Sequence, residues 1–299
     1  MLAAVGLAVT GCGTAAGQQV RLGPGRVITV VAAENFWGSI ARQLGGRHVH
    51  VVSIITNPNA DPHSYEPTVA DARTVALAGL VIENGIGYDP WMPRLLAADN
   101  GQQTVLDVGQ ALGAPAGGNP HRWYNPADVR VVVSRLTAAY GRLDPRDRAY
   151  FTSRERWFET VALRPYDDLI AAIRAKYAGT PVGASESIFA MLAPALGLRL
   201  ITPQRFLRAI SEGGEVSAAD KATIDRQIGH HLIAVYVYNS QNVTPDVQAQ
   251  VAEAKAAGIP VATITETLVP PNIAYQAWQV RQLRGLLAAL AAAAAKGSR

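Results

Sequence analysis

The sequence predicts an α/β fold of two lobes, each a mostly parallel sheet flanked by helices, joined by one long interlobe helix. Short apolar runs alternate with helical patterns along most of the chain, which is typical of parallel sheets covered by helices. The chain has 299 residues, more than one small core accommodates. The stretch from 145 to 179 contains no turn signal before Gly179, and its apolar residues keep a helical spacing.

The first lobe is predicted to occupy residues 26–144. Its apolar runs predict strands at 27–31, 49–55, 79–82 and 104–108. The patterns between them predict helices at 36–44, 69–78 and 91–98. Thr68 is expected to cap the second of these helices. A further helix is expected to start at Pro126, because proline is favoured in a first turn, and to end at Gly141.

Residues 145–179 are predicted to form the joining helix, about 50 Å long at 1.5 Å per residue. Pro165 lies in its interior, where a proline removes one backbone hydrogen bond and bends the helix. The second lobe is predicted to occupy residues 180–299. Its strands are expected at 181–184, 198–201, 232–238 and 259–264, with helices after Ser217, Thr244 and Pro271.

The only cysteine, Cys12, follows an apolar run from Leu2 to Val9. It excludes an intramolecular disulfide and a thiolate-rich zinc cluster. Residues 9–12 resemble a lipobox, the motif at which bacterial signal peptides are cut before a lipidated cysteine. We therefore expect residues 1–25 to be a signal peptide, cut before Cys12, and a flexible tether. No later stretch reaches the roughly 20 apolar residues of a membrane span, so the chain is expected to be anchored without crossing the membrane.

The composition narrows the class of protein. Hydrophobic residues make up 49% and charged residues 17%, with no long run of one sign, which predicts a globular protein. The net charge is +4, and no basic cluster is interleaved with aromatic residues. The sequence therefore indicates no nucleic-acid partner.

Two histidines stand in proline-rich loops, a setting typical of metal ligands. The first loop reads Asp61-Pro62-His63-Ser64-Tyr65-Glu66-Pro67. The second reads Asn119-Pro120-His121-Arg122-Trp123-Tyr124-Asn125-Pro126. Prolines fix backbone φ angles around each imidazole, which stiffens the loop. His63 and His121 are therefore predicted to bind a metal.

Two carboxylates follow predicted strands of the second lobe, Glu186 after 181–184 and Glu266 after 259–264. In open parallel sheets, ligands bind beyond the carboxyl ends of the strands. Two imidazoles from one lobe and two carboxylates from the other are thus expected to enclose one divalent ion.

Each of these residues also has an ordinary explanation. A loop histidine needs only a hydrogen-bond partner, and Glu186 at a helix start is equally explained by the helix dipole. An acid in a loop such as Glu266 needs no special explanation. His48 and His50, two apart at a strand start, are interpreted as solvated, and Glu34 as a supporting or capping group.

With these motifs, the chain resembles the cluster 9 solute-binding proteins, the substrate-binding lipoproteins of bacterial ABC transporters for manganese and zinc. The resemblance covers nearly everything from Val27 to the C-terminal helix. The loops at 61–67 and 119–126 match the first two ligand loops of the family. Residues 185–189 look like the third ligand position, and residues 265–268 resemble the fourth.

The resemblance implies a metal-binding protein that is not an enzyme. Its ligands would be His63, His121, Glu186 and Glu266, and its cargo one divalent transition metal ion, Zn or Mn. Its partners would be the membrane permease and ATPase of an ABC importer. It would be a monomer, held by a lipid on Cys12 at the periplasmic or cell-surface side, with a rigid interlobe helix.

Two departures bear on the metal. The family usually has Asp at the fourth position, where this chain has Glu266. The histidine-rich loop of dedicated zinc importers is replaced by Gly113–Gly118. Two histidines with two carboxylates favour the harder Mn²⁺ more than three histidines do, while intrinsic affinity favours Zn²⁺. The sequence therefore indicates a transition metal without choosing one.

Two other classes stay open at this point. A lipid-anchored metallohydrolase would need an open coordination position and a general base, the role Glu266 would take if it were not a ligand. A helix-borne His-Glu-x-x-His pair, usual in such enzymes, is absent from the sequence. A surface adhesin with an incidental metal is the other alternative.

Overall fold

A computed structural model of the chain describes residues 27–98, 101–242 and 244–297. Cys12, with the expected signal peptide and tether, lies outside the described residues. The described part confirms the two-lobed α/β architecture, since it holds two parallel four-stranded sheets flanked by helices. No helix in these ranges is both long enough and apolar enough to span a membrane.

The first lobe alternates strands and helices. Its elements are β1 (Ile28–Glu34), α1 (Asn35–Gly45), β2 (Val49–Ile55), α2 (Val69–Ala76), β3 (Leu80–Glu83), α3 (Met92–Ala98), β4 (Thr104–Asp107), α4 (Val108–Ala111) and α5 (Pro126–Leu143). Local signals explain the ends of several helices. Thr68 and Asp71 form a capping box before α2, and Asn125 accepts a hydrogen bond from Ala127 N at the start of α5.

The second lobe repeats this alternation after the joining segment. The joining segment contains α6 (Arg148–Trp157) and α7 (Arg164–Tyr177). The second lobe contains β5 (Pro181–Ala184), α8 (Ile188–Leu196), β6 (Arg199–Leu200), α9 (Gln204–Ser211), α10 (Ala218–Gly229), β7 (Val235–Asn239), α11 (Pro245–Ala256), β8 (Val261–Ile264) and α12 (Tyr275–Gly297).

The two sheets have the same topology. The strand order is β2-β1-β3-β4 in the first lobe and β6-β5-β7-β8 in the second, and all neighbours are parallel. In each sheet the second strand along the chain pairs with one side of the first strand, and the third strand pairs with its other side. The crevices at these switch points, between β1 and β3 and between β5 and β7, are where such sheets bind ligands.

The joining segment is helical from Pro145 to Tyr177, but it is not one α-helix. A 3₁₀ turn precedes α6, a π-helical segment at Phe158–Ala162 follows it, and Leu163 separates that segment from α7. Pro165 falls in the first turn of α7, where its missing N–H is harmless. The proline thus starts a new helix at the point where a bend was predicted. α6 packs on α1 and α5, whereas α7 packs on α8 and α12.

One hydrophobic core runs through both lobes. It includes Phe36 of the first lobe and Trp278 of the second. Phe36 stacks on Trp123 with ring centroids 3.9 Å apart. The hydroxyl of Tyr275 donates to the Trp123 carbonyl at 2.5 Å, and that of Tyr124 donates to the Thr265 carbonyl at 2.6 Å. The lobes are therefore joined by packed aromatic rings as well as by the helical segment.

The interpretation of His48 as solvated is wrong. His48 ends a 3₁₀ turn ahead of β2, and its side chain is 17% exposed. Its Nδ1 lies 2.8 Å from Asp147 Oδ2, at the start of the joining segment. Gly46, with φ of 51°, turns the chain so that His48 faces this segment, while His50 on β2 is exposed.

Candidate metal centre

The four predicted ligands lie around the cleft where the carboxyl ends of the two sheets meet. His63 follows β2 and His121 precedes α5, both in the first lobe. Glu186 follows β5, and Glu266 follows β8. The sheets deliver these side chains to one region because ligand sites of parallel sheets form at the carboxyl edge.

His121 is buried, and its ring is held in one orientation. Its Nδ1 lies 2.8 Å from Asn119 Oδ1 and 3.2 Å from Ser187 Oγ. Since an amide oxygen only accepts, we assign the ring proton to Nδ1, which leaves the Nε2 lone pair free. Nε2 lies 3.7 Å from Glu266 Oε1. Burial lowers the pKa of His121, although Glu266 opposes the shift, so the imidazole favours the neutral form that binds metals.

His63 presents the same nitrogen. Its Nδ1 lies 3.3 Å from the Gly87 carbonyl oxygen, and its Nε2 is buried with no hydrogen-bond partner among the described residues. Asp61 Oδ1 accepts from the His63 backbone N–H at 2.9 Å, which fixes the loop. The Tyr88 ring stands edge-on to the imidazole, with centroids 4.9 Å apart. A buried ring nitrogen without a partner is what a metal ligand offers.

Glu266 is held by groups from both lobes. The Tyr88 hydroxyl donates to its Oε1 at 2.8 Å, and Asn239 Nδ2 lies 3.4 Å from its Oε2. Burial alone would raise the pKa of this carboxyl. The neighbouring His121 imidazole, when it is protonated, and the hydrogen bond from Tyr88 outweigh burial and hold the pKa of Glu266 below its ordinary value. The Glu266 carboxyl group is therefore ionised to a lower pH than an ordinary Glu, and the ionised form is the one that binds a metal.

Glu186 has the opposite tendency. It is buried, and its Oε2 accepts from Asn239 Nδ2 at 3.0 Å. Burial, followed by the negative charge of Glu266, raises the pKa of Glu186 well above its ordinary value. Asn239 thus bridges two carboxyl groups that repel each other when both are ionised.

The structure brings the four residues into one region without closing them into a shell. His121 contacts Glu266, Glu186 is linked to Glu266 through Asn239, and the Tyr88 ring lies beside both histidines. Within the described ranges, no three of the four place a ligand atom each within 4.8 Å of one another. The ligand set stays a prediction, since the carboxylates and imidazoles would have to approach one another to bind one ion.

Several supporting residues were not predicted from the sequence. Asn239 is the polar last residue of an apolar strand, at a switch point, and that position is a signal that could have identified it. Asn119 and Ser187, which orient His121, lie inside the recognised motifs. Tyr88 follows Gly87 in a loop and gives no comparable signal.

Glu34 was predicted to be a supporting or a capping group, and the structure contradicts the capping role. Its side chain makes no capping bond to α1, so the capping interpretation is wrong. It is fully buried, and neither carboxyl oxygen has a hydrogen-bond partner in the described structure. Burial, with the charges of Asp89, Glu266 and Glu83, raises the pKa of Glu34 well above its ordinary value. Glu34 therefore keeps its proton to a higher pH than an ordinary Glu.

A cavity of about 850 Å³ opens between the lobes and reaches both histidines. Residues 114–118 form part of its first-lobe wall, and Ser187, Gln204 and Arg208 part of its second-lobe wall. The Arg208 guanidinium donates to the Gly117 carbonyl at 3.0 Å across this entrance. The segment that replaces a histidine-rich loop thus borders the route from solvent to the histidines.

Two α/β lobes meet at a cleft with imidazoles on one side and carboxylates on the other, which is the architecture of a two-lobed solute-binding protein. The family described as "Zinc-uptake complex component A periplasmic" matches residues 30–289, and the chain belongs to it. This family consists of substrate-binding proteins of metal transporters and not of enzymes, which removes the basis of the hydrolase alternative.

Individual relatives agree with this assignment. The manganese-binding lipoprotein MntA of Halalkalibacterium halodurans is 25% identical over 146 residues, 47% of each chain. The high-affinity zinc uptake system protein ZnuA of Bacillus subtilis is 21% identical over 206 residues, 62% of this chain and 63% of the relative. The chain thus aligns with roughly half to two thirds of the length of these curated relatives.

The fold is shared with solved structures over a greater length. A manganese-bound periplasmic metal-binding protein from Candidatus Liberibacter asiaticus superposes with a TM-score of 0.75. The match covers 88% of this chain and 99% of that one, at 19% sequence identity. At this identity, the likeness concerns the fold.

Proposed function

We propose that the protein captures a divalent transition metal, Mn²⁺ or Zn²⁺, outside the cytoplasmic membrane and delivers it to an ABC importer. The ion is cargo, bound by Nε2 of His63, Nε2 of His121 and the carboxylates of Glu186 and Glu266. The observation that carries this proposal is the shared orientation of the histidines. Each has Nδ1 engaged by an oxygen, and each keeps Nε2 for the cleft.

Two nitrogen and two oxygen donors accept both candidate ions. The carboxylates favour Mn²⁺ more than an all-histidine shell would, whereas the general order of affinities favours Zn²⁺. The names of the relatives refer to both manganese and zinc. We therefore propose a divalent transition metal as the cargo. The supply of Mn²⁺ and Zn²⁺ to the cell decides which of the two is transported.

Delivery requires partners outside this chain. We place a membrane permease and its ATPase opposite the open side of the cleft, with the protein acting as a monomer. A lipid on Cys12 would hold it near the permease, as the name of the lipoprotein relative suggests. Mass spectrometry of the protein purified from membranes tests the anchor, since acylation adds a defined mass to a chain that starts at Cys12.

Elemental analysis of protein purified without added metal tests the site. We expect one equivalent of Mn or Zn in the wild type, and loss of it in His63→Ala and Glu266→Ala. His230→Ala, an exposed histidine of the second lobe, is the matched control and should keep the ion. Full occupancy in both site variants would contradict the proposed ligand set.

The adhesin alternative predicts a different result. In that case, the same variants would lose binding to a surface partner while cells kept normal metal uptake. Uptake of the radioactive metal by cells that express each variant distinguishes the two functions.

A further inference from the structure

We propose that His48, Asp144 and Asp147 form a second divalent-metal site, at the outer end of the first lobe. These three residues each offer one ligand atom, and the atoms lie within 4.8 Å of one another. Among the described histidines, aspartates and glutamates, this is the group that meets that criterion. The cargo site above does not include any of them.

The three side chains converge because three elements end at the same place. His48 closes the 3₁₀ turn Gly46–His48 that follows α1. Asp144 ends α5 and caps the next turn, accepting a hydrogen bond from Arg146 N at 3.3 Å. Asp147 immediately precedes α6. An ion held here would fasten the first lobe to the start of the joining segment.

The imidazole is already fixed in position. Its Nδ1 lies 2.8 Å from Asp147 Oδ2, and the Tyr150 ring packs against it with centroids 4.4 Å apart. Its other nitrogen, Nε2, is buried without a hydrogen-bond partner in the described structure. The side chains of His48 and Asp147 are 17% and 37% exposed, so water has access to complete a coordination sphere.

The donor set suits Zn²⁺. One histidine nitrogen and two aspartate oxygens are ordinary zinc ligands at about 2.0–2.2 Å, and water completes a tetrahedral site. Ligand atoms of such a site stand about 3.4 Å apart. His48 Nδ1 and Asp147 Oδ2, now 2.8 Å apart, would therefore separate slightly to admit the ion, and a ligand atom of Asp144 already lies within 4.8 Å of one from each of these residues. The competing explanation is an ion pair between His48 and Asp147 that involves no metal.

This site is independent of the cargo site. His48 precedes β2, whereas His63 follows it, so the two sites lie at opposite ends of that strand. The seven residues of β2 separate them by about 20 Å at 3.3 Å per residue. A mutation at one end leaves the ligands at the other end in place.

Isothermal titration calorimetry of the metal-free protein with Zn²⁺ tests the proposal. We expect two equivalents in the wild type, one tight and one weaker. His48→Ala and Asp147→Asn should each abolish the weaker event and keep the tight one. His50→Ala removes an exposed histidine two residues away and should keep both events. Circular dichroism and thermal unfolding confirm that each variant is folded.

Different results would contradict the cargo site and the second site at His48. His63→Ala should lose the tight event and keep the weaker one, and loss of neither event in that variant would contradict the cargo site alone. A second event of the same affinity in His48→Ala, Asp147→Asn and the wild type would overturn the second site. A single equivalent in the wild type would do the same, and it would leave only an ion pair at His48.

Discussion

Asn239 occupies the point where the two carboxyl groups of the candidate site meet. Its Nδ2 lies 3.0 Å from Glu186 Oε2 and 3.4 Å from Glu266 Oε2. Two buried carboxylates repel each other, and a shared amide donor reduces that repulsion and fixes the direction of both groups. A bound cation would need the same alignment, so we expect Asn239 to position the two candidate ligands before an ion arrives.

We expect Asn239→Ala to weaken metal binding by roughly 10- to 100-fold, the usual effect of losing a group that orients metal ligands. Ser240→Ala, next along the chain, is the matched control, since the Ser240 hydroxyl lies 3.4 Å from the Ile264 carbonyl and not at a carboxylate. Competition with a chelator of known affinity measures the change. Equal affinities for the two variants would show that Asn239 does not position the ligands.

Metal binding is expected to release protons near neutral pH. The pKa of Glu186 is raised, so in the metal-free protein this carboxyl keeps its proton to a higher pH than an ordinary Glu. Only the ionised carboxylate binds a metal, hence binding expels that proton and affinity rises with pH. The pKa of His121 is lowered, so its ring is already neutral at pH 7 and releases little there.

Calorimetry at pH 7 in buffers of different ionisation enthalpy counts these protons. We expect a positive count for the wild type and a smaller one for Glu186→Gln. Glu212→Gln, at an exposed pair with Arg208, should match the wild type. A count of zero for the wild type would contradict the raised pKa of Glu186. An affinity that stays constant from pH 8 to pH 5 would contradict histidine ligation as well.

At the scale of elements, the joining segment changes its helical form where it passes from one lobe to the other. α6 packs on the first lobe and α7 on the second, with the π-helical segment Phe158–Ala162 between them. Phe158 is fully buried in the shared core, whereas Val161 in the same segment is 55% exposed. The segment therefore presents Phe158 as its one large side chain in the core at the boundary between the lobes, next to the small Ala162.

Phe158→Ala should destabilise the protein by about 3–5 kcal/mol, because it leaves a cavity in the core that both lobes share. Val161→Ala in the same segment should change the free energy of unfolding by less than about 0.5 kcal/mol. Urea unfolding of the two variants measures both values. Similar effects in the two variants would mean that the segment is not anchored through Phe158.

The elements were predictable where composition marks both of their ends. β2 and β5 have the predicted bounds, because polar residues, glycine or proline flank their apolar runs. The π-helical segment was not predictable, since one extra residue in a turn leaves a helical apolar spacing nearly unchanged. For the site, the strand ends led to Glu186 and Glu266 as candidates, and the structure places both at the cleft, while their role as ligands stays a prediction. The role of Tyr88 depends on a contact with Glu266 between the lobes, which no local pattern encodes, whereas Asn239 ends an apolar strand at a switch point and could have been identified.

On the scale of the whole molecule, the lobes share one core and several direct contacts. The Trp123 indole N–H of the first lobe donates to the Glu266 carbonyl of the second at 3.1 Å. The Ser39 side chain accepts from the Tyr275 backbone N–H at 3.0 Å. These contacts restrict large rotations of one lobe against the other. The approach of the four predicted ligands is therefore expected to involve side chains and loops more than whole lobes.

A shared core also predicts that the two lobes unfold together. Chains with separate domains often unfold in several steps, but here neither lobe can open without exposing aromatic rings that the other covers. We expect urea unfolding of the metal-free protein to give coincident transitions by tryptophan fluorescence and far-UV circular dichroism. Tyr124→Phe, which removes the hydroxyl that donates to Thr265, should shift both transitions equally, by about 1 kcal/mol. Separate transitions, or a shift of one probe alone, would show that the lobes are independent folding units.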